Sequence, residues 1–213
     1  MQMEFFVVKI FCRLLPLICH REGVMMTNHK TKKLTVLAIM IALDVFLTPI
    51  FRIEGMAFMS SVVNIIAGVI MGPIYALVMA LVTAFIRILT QAGVASVAPL
   101  AILGAGPGAF LAGWFYRFYA KDWMSWVGEF IGTGIIGALL SAPIMVWFWT
   151  WTADGNHEVL AKASAAQSIF LFMPRFIGAT IIGGVIALLL LQGLKRVPVF
   201  MTIQALFKGE KVK

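Results

Sequence analysis

Between Leu34 and Leu194 the sequence is a succession of long apolar stretches with almost no charged residues. Hydrophobic residues make up 62% of the chain, charged residues only 12%, and the mean hydropathy is +0.99. Because so much apolar surface cannot be kept in water, lipid must be the solvent for most of it. The sequence therefore predicts an all-α integral membrane protein.

Five apolar stretches are candidates for crossing the ~30 Å hydrocarbon core, which requires roughly 20 apolar residues in a helix. They are residues 34–51, 56–89, 97–119, 126–151 and 168–194. At ~1.5 Å per residue the second would be about 51 Å long as one helix. The pair Gly72-Pro73 stands at its middle and is typical of a place where one helix ends and another begins. We therefore predict six transmembrane helices.

The basic residues predict how these helices are oriented, since cytoplasmic loops carry an excess of lysine and arginine. With six spans, one side of the membrane receives Lys30, Lys32, Lys33, Arg117, Lys121, Lys195 and Arg196. The opposite loops contain only Arg52 and Lys162. Both termini should therefore be cytoplasmic, in a multi-pass protein of the plasma membrane. The net charge of +8 is then mostly topological and too dispersed for nucleic-acid binding.

Three regions follow from this reading. Residues 30–196 form the six-helix transmembrane domain, and residues 197–213 form a basic cytoplasmic tail. Residues 1–29 are an extension, in which Lys9 and Arg13 interrupt the apolar run before it could span the membrane. Two interpretations stay open for it: a start codon assigned too early, or a short interfacial helix. Both cysteines of the chain lie here, so the transmembrane domain has no disulfide.

Ionisable residues at membrane depth cost about 2.5–3.5 kcal/mol on insertion scales, so each one calls for a reason. Asp44, Arg87 and Arg175 fall in the outer half of the predicted bundle, together with Asn64 and, at the end of the first helix, Arg52. This one-sided clustering favours a site for a small solute that enters from outside. Two alternatives need no ligand: Asp44 neutralises Arg87 or Arg175, and Glu129, about one turn from the inner surface, pairs with Arg117 or Lys121.

Small residues recur at four-residue spacing on several predicted helices. The sets are Ala38 and Ala42; Ala76, Ala80 and Ala84; Gly104 and Gly108; and Gly128 and Gly132. Such spacing lets two helix backbones approach closely, and most of these sets should hold the bundle together. The pair Ala38 and Ala42 is the better candidate for contact with another protein, because a first helix commonly lies at the edge of a small bundle.

Several mechanisms lack their sequence motifs. The chain has no G-x-x-x-x-G-K-[ST] phosphate loop, so it should not use ATP itself. Its three histidines are scattered and form no metal-ligand motif, and no catalytic constellation lies at membrane depth. We find no inverted repeats of the kind seen in self-sufficient secondary transporters. A non-enzymatic bundle without metal or cofactor, which binds a solute, implies a partner that supplies the energy.

Three strings in the sequence resemble a known family. They are Met-Gly-Pro-Ile-Tyr-Ala at 71–76, Gly-Ala-Phe-Leu-Ala-Gly at 108–113 followed by Tyr116-Arg117, and Gly128-Glu129 followed by Gly-Thr-Gly at 132–134, Ser141 and Pro143. The chain is similar here to the substrate-binding S components of energy-coupling-factor (ECF) transporters, and within them to the ThiW-type thiazole S components. The resemblance covers roughly residues 30–195.

This resemblance implies a six-helix S component that docks onto a transmembrane scaffold subunit driven by two ATP-binding subunits. Ala38 and Ala42 look like the docking motif, and the implied substrate is hydroxyethylthiazole, a precursor of thiamine. Residues that could bind so small an aromatic ligand are Asp44, Asn64, Arg87, Ser141, Trp147, Phe172 and Arg175. Trp147 has an alternative role in an interfacial aromatic belt.

Two other functions stay open at the level of the sequence. The chain could be an S component for another vitamin or precursor, such as hydroxymethylpyrimidine or thiamine. It could also be a membrane scaffold protein whose polar residues only fasten helices together. Saturable binding of a small heterocycle would distinguish either S-component function from the function of a membrane scaffold protein.

Overall fold

The computed structural model describes residues 29–51, 57–91, 94, 97–152 and 172–208, and this part of the chain is helical and contains no β-strand. The helices are α1 His29–Ile50, α2 Phe58–Met71, α3 Pro73–Thr90, α4 Ala98–Tyr119, α5 Asp122–Thr152, α6 Met173–Leu194 and α7 Pro198–Lys208. The prediction of an all-helical protein is confirmed. Almost all of the predicted N-terminal extension lies outside the described residues.

The predicted break in the second apolar stretch is confirmed at Gly72 and Pro73. Gly72 has φ of 79°, a left-handed conformation that glycine adopts without a Cβ clash. Its N–H donates to the Gly68 carbonyl and closes α2. Pro73 then opens α3, at a position where its missing N–H costs no hydrogen bond. One long apolar stretch therefore folds into two helices.

Successive helices from α1 to α6 run in alternating directions, and contacts across the bundle show which ends meet. Lys195, just after α6, forms a salt bridge with Asp122 at the start of α5, with Nζ and Oδ1 2.6 Å apart. Near the start of α1, the Lys33 ammonium lies 5.7 Å from the centre of the Phe207 ring in α7. The starts of α1 and α5, the end of α6 and α7 therefore lie at one end of the bundle, called here the α7 end.

Helix α2 lies at the centre of the bundle, in contact with α1, α3, α4, α5, α6 and α7. All 14 of its residues are buried. A helix of this length rises only about 21 Å, less than the ~30 Å of a hydrocarbon core. The other helices from α1 to α6 are long and apolar enough to cross a membrane, which makes five candidate spans among the described residues. The six-span topology with cytoplasmic termini stays a prediction.

The outer surface of the bundle is apolar, as a lipid-facing surface must be. Phe46, Leu89 and Trp151 each expose at least 70% of their surface. A water-soluble protein rarely exposes so many large apolar side chains, because contiguous apolar patches promote association. The surface and the long apolar helices together identify a multi-pass membrane protein.

Helix α7 forms from residues that the sequence assigns to a basic tail. Phe200 is completely buried against the bundle. The Gln204 Nε2 amide donates to the Val69 carbonyl at 2.9 Å and to the Tyr116 hydroxyl at 3.0 Å. Because the last carbonyls of a helix have no partner within it, Gln204 caps the end of α2. Residues Pro198–Lys208 therefore form a folded helix that packs against the end of the bundle.

Helices α4 and α5 approach each other closely through glycine. A Cβ added at Gly132 would lie 2.5 Å from the Pro107 carbonyl oxygen of α4, so no larger residue fits there without a shift of the backbone. Residues Phe130–Gly137 of α5 form a π-helix. The wide turns of a π-helix are rare and are frequently found at functional sites. The close contact and the wide turns together set the positions of Glu129 and Thr133.

Candidate functional site

A cavity of about 380 Å³ lies among α2, α3, α4, α5 and α6. Its volume falls within the range of about 300–1,000 Å³ that is typical of small-molecule sites. Helices α2, α4 and α6 line it with residues of their first two turns, such as Ser60, Gly104 and Phe176. Since these helices begin at the end of the bundle opposite α7, we call this the cavity end. Along each of the three helices, the cavity runs from this end toward the bundle centre.

A group of hydrogen-bonded polar side chains lies deepest in the cavity. The Asn64 Nδ2 amide donates to Glu129 Oε1 at 3.3 Å. The Thr133 hydroxyl lies 2.6 Å from the Gly104 carbonyl oxygen and 3.1 Å from Glu129 Oε1. Asn64 and Glu129 are almost completely buried, yet both line the cavity. This arrangement, called here the Asn64–Glu129 pair, gives the inner end of the cavity a polar wall.

A second set of hydrogen-bonded polar side chains surrounds Asp44, behind the cavity wall. The Thr48 hydroxyl donates to Asp44 Oδ1 at 2.7 Å, and the Ser60 hydroxyl donates to Oδ2 at 3.3 Å. The positive charge of Arg87 attracts the carboxylate of Asp44, which is completely buried. Arg87 lines the cavity, whereas Asp44 does not. The burial of Arg87 and its attraction to Asp44 therefore favour Arg87 over the exposed Arg175 as the charge partner of Asp44.

Aromatic rings form the wall of the cavity on the side of α5 and α6. Phe172, Phe176 and Trp149 line it and belong to one apolar cluster with Ala142 and Met145. Flat aromatic faces with a few hydrogen-bonding groups suit a small planar heterocycle, which gains contact area on its faces and hydrogen bonds at its edge.

The structure brings part of the predicted site together. Four of the predicted residues line the same cavity: Asn64, Arg87, Phe172 and Arg175. Asp44 is linked to this cavity by the hydrogen bond from Ser60. Ser141 is buried elsewhere, where its hydroxyl donates to the Ala138 carbonyl of its own helix at 2.6 Å. Trp147 is 65% exposed and stacks on Trp151 with the ring centres 6.2 Å apart. This exposed position fits the alternative role of Trp147 in an interfacial aromatic belt. The tryptophan that lines the cavity is Trp149.

Glu129 corrects one expectation from the sequence. Its expected pairing with Arg117 or Lys121 is wrong, because its hydrogen bonds come from Asn64 and Thr133 and it lies at the cavity wall. Its seven-residue distance from the start of α5 is about two turns, or about 10 Å, which places it well inside the bundle. An acidic residue three positions before Gly-Thr-Gly was the available signal in the sequence, but only the path of α4 past Gly128 and Gly132 shows which way Glu129 faces.

Ala38 and Ala42, the predicted docking pair, lie on the exposed face of α1. Leu34 and Phe46 continue this face at the same spacing and are 60% and 70% exposed. By contrast, Ala76, Ala80 and Ala84 of α3 are buried and pack inside the bundle. Of these two alanine sets, the one on α1 is therefore available to another helix.

Within the described residues, no group of His, Cys, Asp or Glu side chains is arranged to hold a metal ion. The cavity presents hydroxyl, amide, carboxyl and guanidinium groups beside aromatic rings. Such groups can bind a small polar molecule by hydrogen bonding and stacking. The arrangement is that of a binding site.

Comparison with known proteins agrees with this description. No curated protein and no solved structure matches the chain. A family model described as thiamine-precursor transporter protein (ThiW) matches residues 34–197. The matched region runs from α1 to just past α6 and contains every helix that lines the cavity. The chain therefore belongs to the ThiW family of thiamine-precursor transporter proteins, a family of transporters and not of enzymes.

Proposed function

We propose that the protein is the substrate-capturing S component of an ECF-type importer and that its substrate is the thiamine precursor hydroxyethylthiazole. The observation that carries this proposal is the cavity at the end of the bundle opposite α7, which combines aromatic walls with a polar inner end. Family membership supports the transport of a thiamine precursor. The choice of the thiazole comes from the resemblance to ThiW-type thiazole S components, and the aromatic and polar lining of the cavity is compatible with it.

The ligand fits the cavity in size and in polarity. Hydroxyethylthiazole is a neutral aromatic ring with one hydroxyl group. The rings of Phe172, Phe176 and Trp149 offer faces for its stacking. With about nine heavy atoms and a ceiling of about 1.5 kcal/mol per atom, tight capture is physically permitted even for so small a molecule.

The energy for transport would come from partner subunits. The sequence contains no phosphate-loop motif, so ATP hydrolysis is assigned to two ATP-binding subunits that act through a transmembrane scaffold subunit. The exposed face of Ala38 and Ala42 supports docking of this scaffold on α1, because small residues let two helix backbones come close in lipid.

The predicted orientation supports capture from outside the cell. The α7 end carries the lysines and arginines that the positive-inside rule places in the cytoplasm, including Lys33, Lys121 and Lys195. The cavity end then faces outward. A ligand would enter there and meet the Asn64–Glu129 pair at the inner end of the cavity.

Calorimetric titration of the detergent-purified protein tests the substrate. The ligands are hydroxyethylthiazole, hydroxymethylpyrimidine and thiamine, each added to the same preparation. Saturable binding of the thiazole with a clear preference over the other two is the expected result. Preferential binding of the pyrimidine or of thiamine would keep the S-component function and replace the substrate. Binding of none of the three would overturn the proposed capture function.

A further inference from the structure

Glu129 brings a completely buried carboxyl group to the cavity wall. One of its oxygens, Oε1, has Asn64 Nδ2 and the Thr133 hydroxyl within hydrogen-bond distance. The other oxygen, Oε2, makes no direct hydrogen bond among the described residues, although the Ser61 hydroxyl interacts more weakly with this carboxyl group. A buried polar atom without a partner is rare in proteins, because it has lost its hydrogen bonds to water. Since Glu129 lines the cavity, a bound ligand is a candidate partner for this carboxyl group.

The side-chain amide of Asn64 has the same property. Its NH₂ group points to Glu129, since only this half of the amide can donate to a carboxyl oxygen. Its carbonyl oxygen, Oδ1, is thereby left as an acceptor, buried and without a partner in the described part of the chain. The Thr133 hydroxyl has a single proton, and the Gly104 carbonyl and Glu129 Oε1 both compete for it. This wall therefore offers acceptors to a ligand.

We propose that the Asn64–Glu129 pair determines specificity by accepting a hydrogen bond from a hydroxyl group at the end of the ligand. This inference rests on the proposed function and deepens it, since it orients the substrate with its hydroxyl inward and its ring between the aromatic side chains nearer the cavity end. The single proton of the ligand hydroxyl can pair with one of the two buried oxygens, and a heterocycle without the hydroxyl would leave both without a partner from the ligand. A phosphate ester would bring negative charge against the Glu129 carboxyl group at the inner end and be rejected, because the two arginines that line the cavity, Arg87 and Arg175, lie in helix turns at the cavity end.

The first part of the test compares ligands on the wild-type protein by calorimetric titration. Hydroxyethylthiazole is compared with 4-methyl-5-ethylthiazole, which has the same ring and lacks only the hydroxyl oxygen, and with the phosphate ester of hydroxyethylthiazole. We expect the ethyl compound to bind at least about tenfold more weakly, the difference expected for a hydrogen bond to a charged or buried acceptor. The phosphate ester should show no saturable binding.

The second part uses the substitution Glu129→Gln, which keeps the side-chain shape and can place an NH₂ group where the unpartnered oxygen stood. The preference for the hydroxyl compound over the ethyl compound should then fall to less than about threefold. Asp122→Asn is the matched control. It makes the same change of carboxyl to amide on the same helix, outside the cavity, and should keep the full preference.

The outcomes separate this inference from the proposed function. If the wild-type protein binds both thiazoles equally well, or if Glu129→Gln keeps the full preference, the inference is wrong while capture of the thiazole stands. If the wild-type protein binds no thiazole, both fail. The wild-type comparison of ligands decides the question even where Glu129→Gln cannot be purified in a folded form.

Discussion

Two tryptophans that stand two positions apart on α5 should differ sharply in their effect on ligand binding. Trp149 lines the cavity, whereas Trp147 faces outward and is 65% exposed. We predict that Trp149→Ala weakens hydroxyethylthiazole binding about tenfold, because an aromatic contact and its buried area are lost. Trp147→Ala should change the affinity less than twofold. Calorimetric titration of both variants checks this, and equal losses would mean that the cavity wall is assigned to the wrong tryptophan.

At the glycine contact between α4 and α5, a single methyl group should destabilise the protein. Gly132→Ala would place its Cβ 2.5 Å from the Pro107 carbonyl oxygen, so the two backbones must move apart. We expect a loss of about 1–3 kcal/mol in stability, as for other overpacked sites. Thermal unfolding in detergent should show a Tm lower by several degrees.

The matched control for this glycine is Gly193→Ala in α6. An added Cβ there meets nothing within 4 Å. Alanine is also the better helix former by about 1 kcal/mol, so the Tm of this variant should stay equal or rise. A fall in Tm of the same size in both variants would mean that close packing at Gly132 is not the cause of the loss.

The sequence could identify polar residues of the site but could not orient them all. Asn64, Arg87 and Arg175 were predictable, because a polar residue in an apolar helix is costly and these fall at one predicted depth. The direction in which a side chain faces depends on how each helix is rotated against its neighbours. Ser141 and Trp147 fall on faces away from the cavity, whereas Glu129 and Trp149 face it. With apolar residues on all sides of these helices, periodicity gives no signal for this rotation.

On the scale of the helix, the exposed face of α1 carries a prediction about partners. Ala38→Trp should block close approach of a scaffold helix and abolish uptake of labelled thiazole in cells that contain the energising subunits. Binding to the purified variant should stay unchanged, because Ala38 does not line the cavity. Val185→Trp on α6, where the residue is 50% exposed, is the control and should keep uptake. Uptake by Ala38→Trp at the wild-type rate would exclude this face as the docking site.

Helix boundaries were largely predictable, whereas the environment of each helix was not. The break at Gly72-Pro73 follows from residue chemistry alone, since glycine takes the positive φ and proline opens the next helix. The complete burial of α2 follows from packing on all sides by other helices, which its own apolar sequence does not reveal. The same limit applies to α7, whose lysine-containing sequence suggested a tail and whose buried face became evident only from Phe200 and Gln204.

On the scale of the whole molecule, the sides of the membrane on which the two termini lie depend on whether the short central helix α2 crosses the membrane. With α2 counted as a crossing, the chain crosses the membrane six times and both termini lie on one side; with the five long helices alone, the termini lie on opposite sides. The alternating direction of α1 to α6 and the contact of α7 with the start of α1 favour the even number. The basic residues at the α7 end then predict that both termini lie in the cytoplasm.

Reporter fusions in a Gram-negative host would decide between these topologies. Green fluorescent protein fused after Lys213 should fluoresce, and alkaline phosphatase at the same position should be inactive, because the first folds in the cytoplasm and the second only outside it. A phosphatase fused after Thr152, at the cavity end of α5, should be active. The reverse pattern of reporter activity at both positions would mean that the cavity faces the cytoplasm, which contradicts capture from outside. Activity at both positions would mean that the α7 end and the cavity end do not lie on opposite sides of the membrane, against the packing of α5, α6 and α7.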